Sequence, residues 1–129
     1  MKQTRQLIAL LLMLLLAGFS QSLLAEDKFA IAADGAQPMA QIVKLAGTAP
    51  YFHIYDINGK QIEVLANPHM DLEYGMGPAA AATLADMGVT VLVTQRIPGP
   101  KMAEVLEERG VRVVRRRGPV LDVVNELRE

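Results

Sequence analysis

The chain has 129 residues, 51% hydrophobic, 21% charged and 5% aromatic, with 13 basic against 14 acidic side chains for a net charge of −1. That length fits one domain, and the balanced charge excludes a generally basic nucleic-acid-coating protein. It has no cysteine, which excludes disulfides, thiolate zinc sites, a Cys nucleophile and iron–sulfur clusters held by thiolates of a single chain.

Lys2 and Arg5 precede an apolar run from Leu7 to Ala17, and Leu23-Leu24-Ala25 then meets Glu26-Asp27-Lys28. A basic start, a short apolar stretch and a small terminal residue describe a secretory signal peptide. About eleven apolar residues are too few to cross a ~30 Å hydrocarbon core as a helix. The expectation is a signal peptide over 1–25, cleaved after Ala25, and a single exported domain over 26–129, periplasmic or secreted, with no membrane anchor after cleavage. Loss of Lys2 and Arg5 would leave 11 basic and 14 acidic residues, a net charge of −3.

Lys28–Ala33 reads as a first strand ending at Asp34-Gly35, and 36–49, with Pro38 and Gly47, reads mainly as loop. Pro50–Ile57 and Lys60–Leu65 flank Asn58-Gly59, the pattern of a hairpin closed by a two-residue type I′ turn. That register sets Tyr55 opposite Ile62 and His53 opposite Val64. Asn67–Gly77 is a loop; Pro78 opens a helix that runs to Met87 and stops at Gly88. Val89–Thr94 suits a strand buried on both faces. Lys101–Arg109 and Pro119–Arg128 carry helical apolar stripes, with Val111–Val114 a strand between them. Strand–helix alternation after a hairpin predicts an α/β fold: a mixed sheet of ribonuclease H-like arrangement flanked by helices.

FAIAADG, AGTAPYFHIYD and GMGPAAAATLADMGVTVLVTQRIPGPKMAEVLEERGVRVV resemble the dinitrogenase iron–molybdenum cofactor biosynthesis family over about Phe29–Leu127. The most specific stretches are Ala49-Pro50-Tyr51-Phe52, Leu84–Val89 and Gly99-Pro100. Leu45-Ala46-Gly47 stands where relatives often carry Phe-Gly. The resemblance implies a ribonuclease H-like fold and a binding or carrier role rather than an enzyme. The implied cargo is an iron–sulfur or molybdenum–iron–sulfur cluster.

Without thiols, a soft or borderline metal would use His and Met. His69, Met70 and Met76 lie in one loop with Gly75 and Gly77 ahead of a helix N-terminus, whose free N–H groups favour an anionic guest. His53, between Tyr51 and Tyr55 on one strand face, is either a further ligand or a hydrogen-bond partner. The expected metal ligands are therefore His69, Met76 and His53, with Met70, Gly75 and Gly77 completing the binding loop. Asp34 ends a strand but lacks the convergent carboxylates that a two-metal nuclease needs. Arg112, Arg115, Arg116 and Arg117 form the one dense basic cluster, read as a solvated strand end, an anion site or a face for an acidic partner. Nucleic acid is not an expected partner. The alternative function is a metal-free protein–protein interaction module that docks an envelope protein.

Overall fold

A computed structural model describes residues 27–129; the expected signal peptide lies outside the described residues. The elements in order are β1 (Lys28–Ala33), a 3-10 turn (Ala46–Thr48), β2 (Tyr51–Asp56), β3 (Gln61–Ala66), α1 (Met76–Asp86), β4 (Val91–Thr94), α2 (Pro100–Glu108), β5 (Arg112–Arg115) and α3 (Val120–Arg128). One sheet of order β3-β2-β1-β4-β5 holds all five strands. β1 pairs antiparallel with β2 and parallel with β4, β2 is antiparallel to β3, and β4 is parallel to β5. This is the expected α/β mixed sheet, and its topology is ribonuclease H-like.

The central strand explains its own composition. Ala30 and Ala32 face one core, Ile31 and Ala33 the other, and all four are fully buried. A strand covered on both sides does not alternate apolar with polar. On the first side α1 and α2 pack through Ala80, Ala81, Leu84, Met102 and Leu106 against Phe52, Ile54 and Leu92. Alanines at the α1 contact let that helix approach closely. On the second side α3 covers Ile31, Val91 and Val93 with Val120, Val123 and Val124, joined by Ala40 and Ile42 from the segment after β1. Among the described residues no helix is long and apolar enough to cross a membrane.

The hairpin differs from expectation in its turn. Gly59 has φ +80°, while among the described residues no non-glycine has positive φ, so Asn58 is not in the conformation a type I′ turn demands. The Gly59 N–H instead donates to the Asp56 carbonyl (3.1 Å), and the Asp56 N–H donates to the Lys60 carbonyl (2.9 Å). This is a type I turn followed by a left-handed glycine, with three loop residues rather than two. Asp56 causes it: Oδ1 accepts the N–H groups of Asn58 and Lys60, both at 2.9 Å, the usual role of aspartate at the first turn position. The added residue shifts the register, so Gln61 rather than Ile62 opposes Tyr55, whereas His53 still opposes Val64. Ile62 is left exposed.

Two further boundaries move. α1 begins at Met76, two residues before Pro78, because Gly75 supplies the N-cap in the left-handed region (φ +78°). The 36–49 segment is not featureless: Ile42 bridges Ala33, Gln41 bridges Pro119, and the 3-10 turn follows. Gly88 (φ +87°) and Gly110 (φ +75°) do end α1 and α2, where a left-handed residue closes the last turn.

Candidate functional site

At the carboxyl end of β4, three backbone segments meet: the 3-10 turn and the starts of α1 and α2. They enclose a pocket of about 510 Å³ lined by Leu45–Thr48, Gly77, Pro78 and Pro98–Met102. Its narrowness is set by two glycines. A Cβ placed on Gly47 would lie 3.2 Å from the Gly77 Cα, and one on Gly77 would lie 3.2 Å from the Met102 Cβ. Ala46 and Ala49, both fully buried, seat the turn in the core, while the buried Asn67 donates from Nδ2 to the Ala49 carbonyl at 2.9 Å.

Neither helix has a side-chain cap at its N-terminus. The first intrahelical bonds are Ala79 N–H to the Gly75 carbonyl (3.1 Å) and Ala103 N–H to the Gly99 carbonyl (2.9 Å). The amides of Met76 and Gly77 in α1, and of Lys101 and Met102 in α2, precede those bonds, so helical geometry gives them no acceptor. The first turns of α1 and α2 thus border one concavity, almost wholly apolar, with walls of Leu45, Pro78, Pro98 and Met102, and each helix start carries a partial positive charge. Amide donors in an apolar frame suit an anion whose charge is spread over polarizable atoms, because a compact hydrated ion would lose too much water there. Met102, 4% exposed, adds the thioether, a soft and polarizable group.

Of the six residues expected from sequence, Gly77 alone lines this pocket. Gly75 caps α1, Met76 is the half-buried first residue of that helix, and Met70 is exposed. His69 lies against α1: its Nε2 is 2.7 Å from Thr83 Oγ1, and its N–H donates to Asn67 Oδ1 at 3.0 Å. Thr83 stands about 10 Å along the helix axis from Met76. His53 is fully buried on the opposite side of the sheet, the α3 side, beside Ile31. Its Nε2 is 2.8 Å from the Gly35 carbonyl, which can only accept, so Nε2 donates, and Nδ1 is buried with no partner among the described residues. The sheet separates the two histidines, and the structure does not gather His53, His69 and Met76. Among the described residues no three His, Asp or Glu side chains are grouped to hold a metal ion.

Sequence reasoning missed Leu45, Gly47, Gly99, Pro100 and Met102 as pocket residues. A usable signal existed: Gly47, Gly77 and Gly99 all sit at places where a turn or helix begins beside a proline or a small residue. Their convergence needed the fold.

A ribonuclease H-like α/β domain with an apolar pocket between two helix starts at its strand ends is the class of protein this geometry defines. Residues 27–129 match the family model described as dinitrogenase iron-molybdenum cofactor, and the chain belongs to that family. It is similar to the apo form of the orange protein from Desulfovibrio gigas, with 27% identity, a TM-score of 0.70, and 78% of this chain and 85% of that one covered. It is also similar to a Thermotoga protein, solved by NMR, whose description proposes a NifB protein of the DUF35 family. That match has 29% identity, a TM-score of 0.64, and 79% and 90% coverage. None of the curated proteins matches the chain.

Proposed function

We propose that this domain is a non-catalytic carrier that holds a metal–sulfur anion, an iron–sulfur, molybdenum–sulfur or molybdenum–iron–sulfur species, as cargo in the glycine-rimmed pocket. One observation carries the reading: two uncapped helix N-termini open at the same apolar concavity of about 510 Å³. Membership of the iron-molybdenum cofactor family supports it. The donor set fits such a guest held without thiolates: amide N–H groups offset the negative charge, Leu45, Pro78 and Pro98 surround the sulfide shell, and Met102 offers a soft contact.

The test is anaerobic loading of the purified protein with tetrathiomolybdate, followed by gel filtration and elemental analysis. The expected result is molybdenum co-eluting with protein in near-stoichiometric amount. Gly99→Leu should abolish it: a Cβ at Gly99 meets nothing within 4 Å, so the larger side chain can narrow the pocket while the fold persists. Protein that stays free of metal and refuses loading would overturn the proposal.

The proposal extends to export. Lys2, Arg5 and the Leu7–Ala17 run support it, and mature protein beginning at Glu26 in a periplasmic fraction would establish it. A metal-free docking module is the second reading, favoured by Leu45 and Ile97, which are 47% and 66% exposed. An envelope protein captured by metal-free wild type, but not by Ile97→Glu, would select it.

A further inference from the structure

The second concavity is chemically unlike the first. It has a volume of about 300 Å³ and is lined by Lys44, Gln95, Arg96, Arg115 and Arg117, with no carboxylate among them. A neighbouring hollow of about 290 Å³ shares Gln95, Arg115 and Arg117 and adds Arg116. The ion pairs among the described residues are Arg109–Asp86 and Arg116–Glu126. Lys44, Arg96, Arg115 and Arg117 take part in neither, so a chain of net charge −1 gathers four unneutralised cations at one place.

The backbone around them is tied rather than loose. Gln95 and Arg96 donate their N–H groups to the carbonyls of Val43 and Lys44, both at 3.1 Å, and the Arg116 N–H donates to the Thr94 carbonyl at 3.0 Å. Thr94, fully buried, donates from Oγ1 toward the Val43 and Lys44 carbonyls at 3.3 and 3.4 Å. Gln95 Nε2 donates to the Ile42 carbonyl at 2.7 Å, and Arg115 Nε donates to the Gln95 carbonyl at 3.3 Å. Three separate segments are thereby cross-linked into one cationic rim. Like charges held together on a fixed frame repel unless an anion joins them, and guanidinium groups match two-oxygen anionic edges.

We infer that the Lys44–Arg96–Arg115–Arg117 cleft is a second binding site, distinct from the glycine-rimmed pocket, for a compact multivalent oxyanion of the phosphoryl type. Two adjoining hollows that share Arg115 and Arg117 favour an anion with two charged groups over one with a single group. A cleft of this size accommodates such an ion, whereas an acidic protein surface would need a broader face.

Calorimetric titration of the purified protein with pyrophosphate, inorganic phosphate and deca-glutamate, in chloride buffer at fixed ionic strength, tests the site. Pyrophosphate should bind with one-to-one stoichiometry and about tenfold or more tighter than phosphate. Arg117→Ala and Arg115→Ala should each weaken it about tenfold or more, as expected when a charge-assisted contact is lost. Arg112→Ala should change nothing, since Arg112 lines neither hollow. Arg117 is exposed and donates no hydrogen bond among the described residues, so its variant separates binding from folding; circular dichroism checks both. Tetrathiomolybdate loading should survive in Arg117→Ala. Absence of pyrophosphate binding, equal loss in Arg112→Ala, or deca-glutamate binding more tightly than pyrophosphate would each overturn the inference, the last in favour of a face for an acidic partner.

Discussion

Gly47 and Gly77 meet backbone to backbone: a single methyl added to Gly47 would reach 3.2 Å from the Gly77 Cα, and Met102 Sδ would lie 3.5 Å away. This contact closes one wall of the pocket and sets how near the 3-10 turn stands to the start of α1. Gly47→Ala must push backbone against backbone, with an expected loss of about 1–3 kcal/mol from overpacking. Gly99→Ala, at the same pocket but with nothing within 4 Å of its Cβ, should cost less than about 1 kcal/mol, the loss of a glycine N-cap. Urea unfolding of the two variants compares them directly. Equal costs would mean that the turn yields freely.

Asn67 and His69 fasten the loop before α1 in different ways. Asn67 is buried and serves both ends of its amide, donating to the Ala49 carbonyl and accepting from the His69 N–H. Asn67→Ala strands a buried carbonyl and should cost about 1–3 kcal/mol. His69→Ala removes the half-exposed contact with Thr83 and should cost about 0.5–1.5 kcal/mol. Hydrogen exchange should show loosening of the 68–75 loop in both. Loss of tetrathiomolybdate loading in His69→Ala, with stability kept, would instead mark His69 as a ligand.

His53 is enclosed by β-sheet and α3 and tied to Gly35. Truncation to alanine opens a cavity and leaves the Gly35 carbonyl without its donor, for an expected loss of about 2–5 kcal/mol. Tetrathiomolybdate loading, measured where the variant remains folded, should be unchanged. The opposite pattern, little destabilisation and no loading, would make His53 part of the cargo site.

Tyr55 should contribute to a loss of stability at alkaline pH. It is 5% exposed; burial pushes its phenol above the usual value of 10.0, and the Arg128 charge opposes that only in part. The folded state therefore keeps the proton longer than the unfolded chain does. Its effect is flat below pH ~10, and stability then falls as pH climbs toward the folded-state value. Phenolate absorbance should show a late-titrating component that is missing in Tyr55→Phe. The variant's unfolding free energy should also decline less steeply over that alkaline range. Absorbance lost in Tyr55→Phe at the usual phenol value rather than above it would refute the reading.

The fold was legible because its cues are local. Lys28–Ala33 and Val91–Thr94 are apolar enough to be central strands, and Gly88 and Gly110 stop helices wherever they stand. The hairpin turn departs from the Asn58-Gly59 pattern because the Asp56 carboxylate selects a different turn. The site was less legible. His69 and Met76 are neighbours in sequence, yet α1 carries Thr83, and His69 with it, away from the helix start.

Strand and helix identity, the order βββαβαβα and the absence of thiol chemistry follow from the residues alone, since periodicity, turn chemistry and composition act over a few positions. Tertiary structure decided which backbone amides share a pocket and which cations share a cleft. Gly47, Gly77 and Gly99 span more than fifty positions, and Lys44 and Arg117 more than seventy; the strand order β2-β1-β4-β5 brings their segments to one edge. Long-range pairing is set by burial summed over the whole sheet, and no local pattern encodes it.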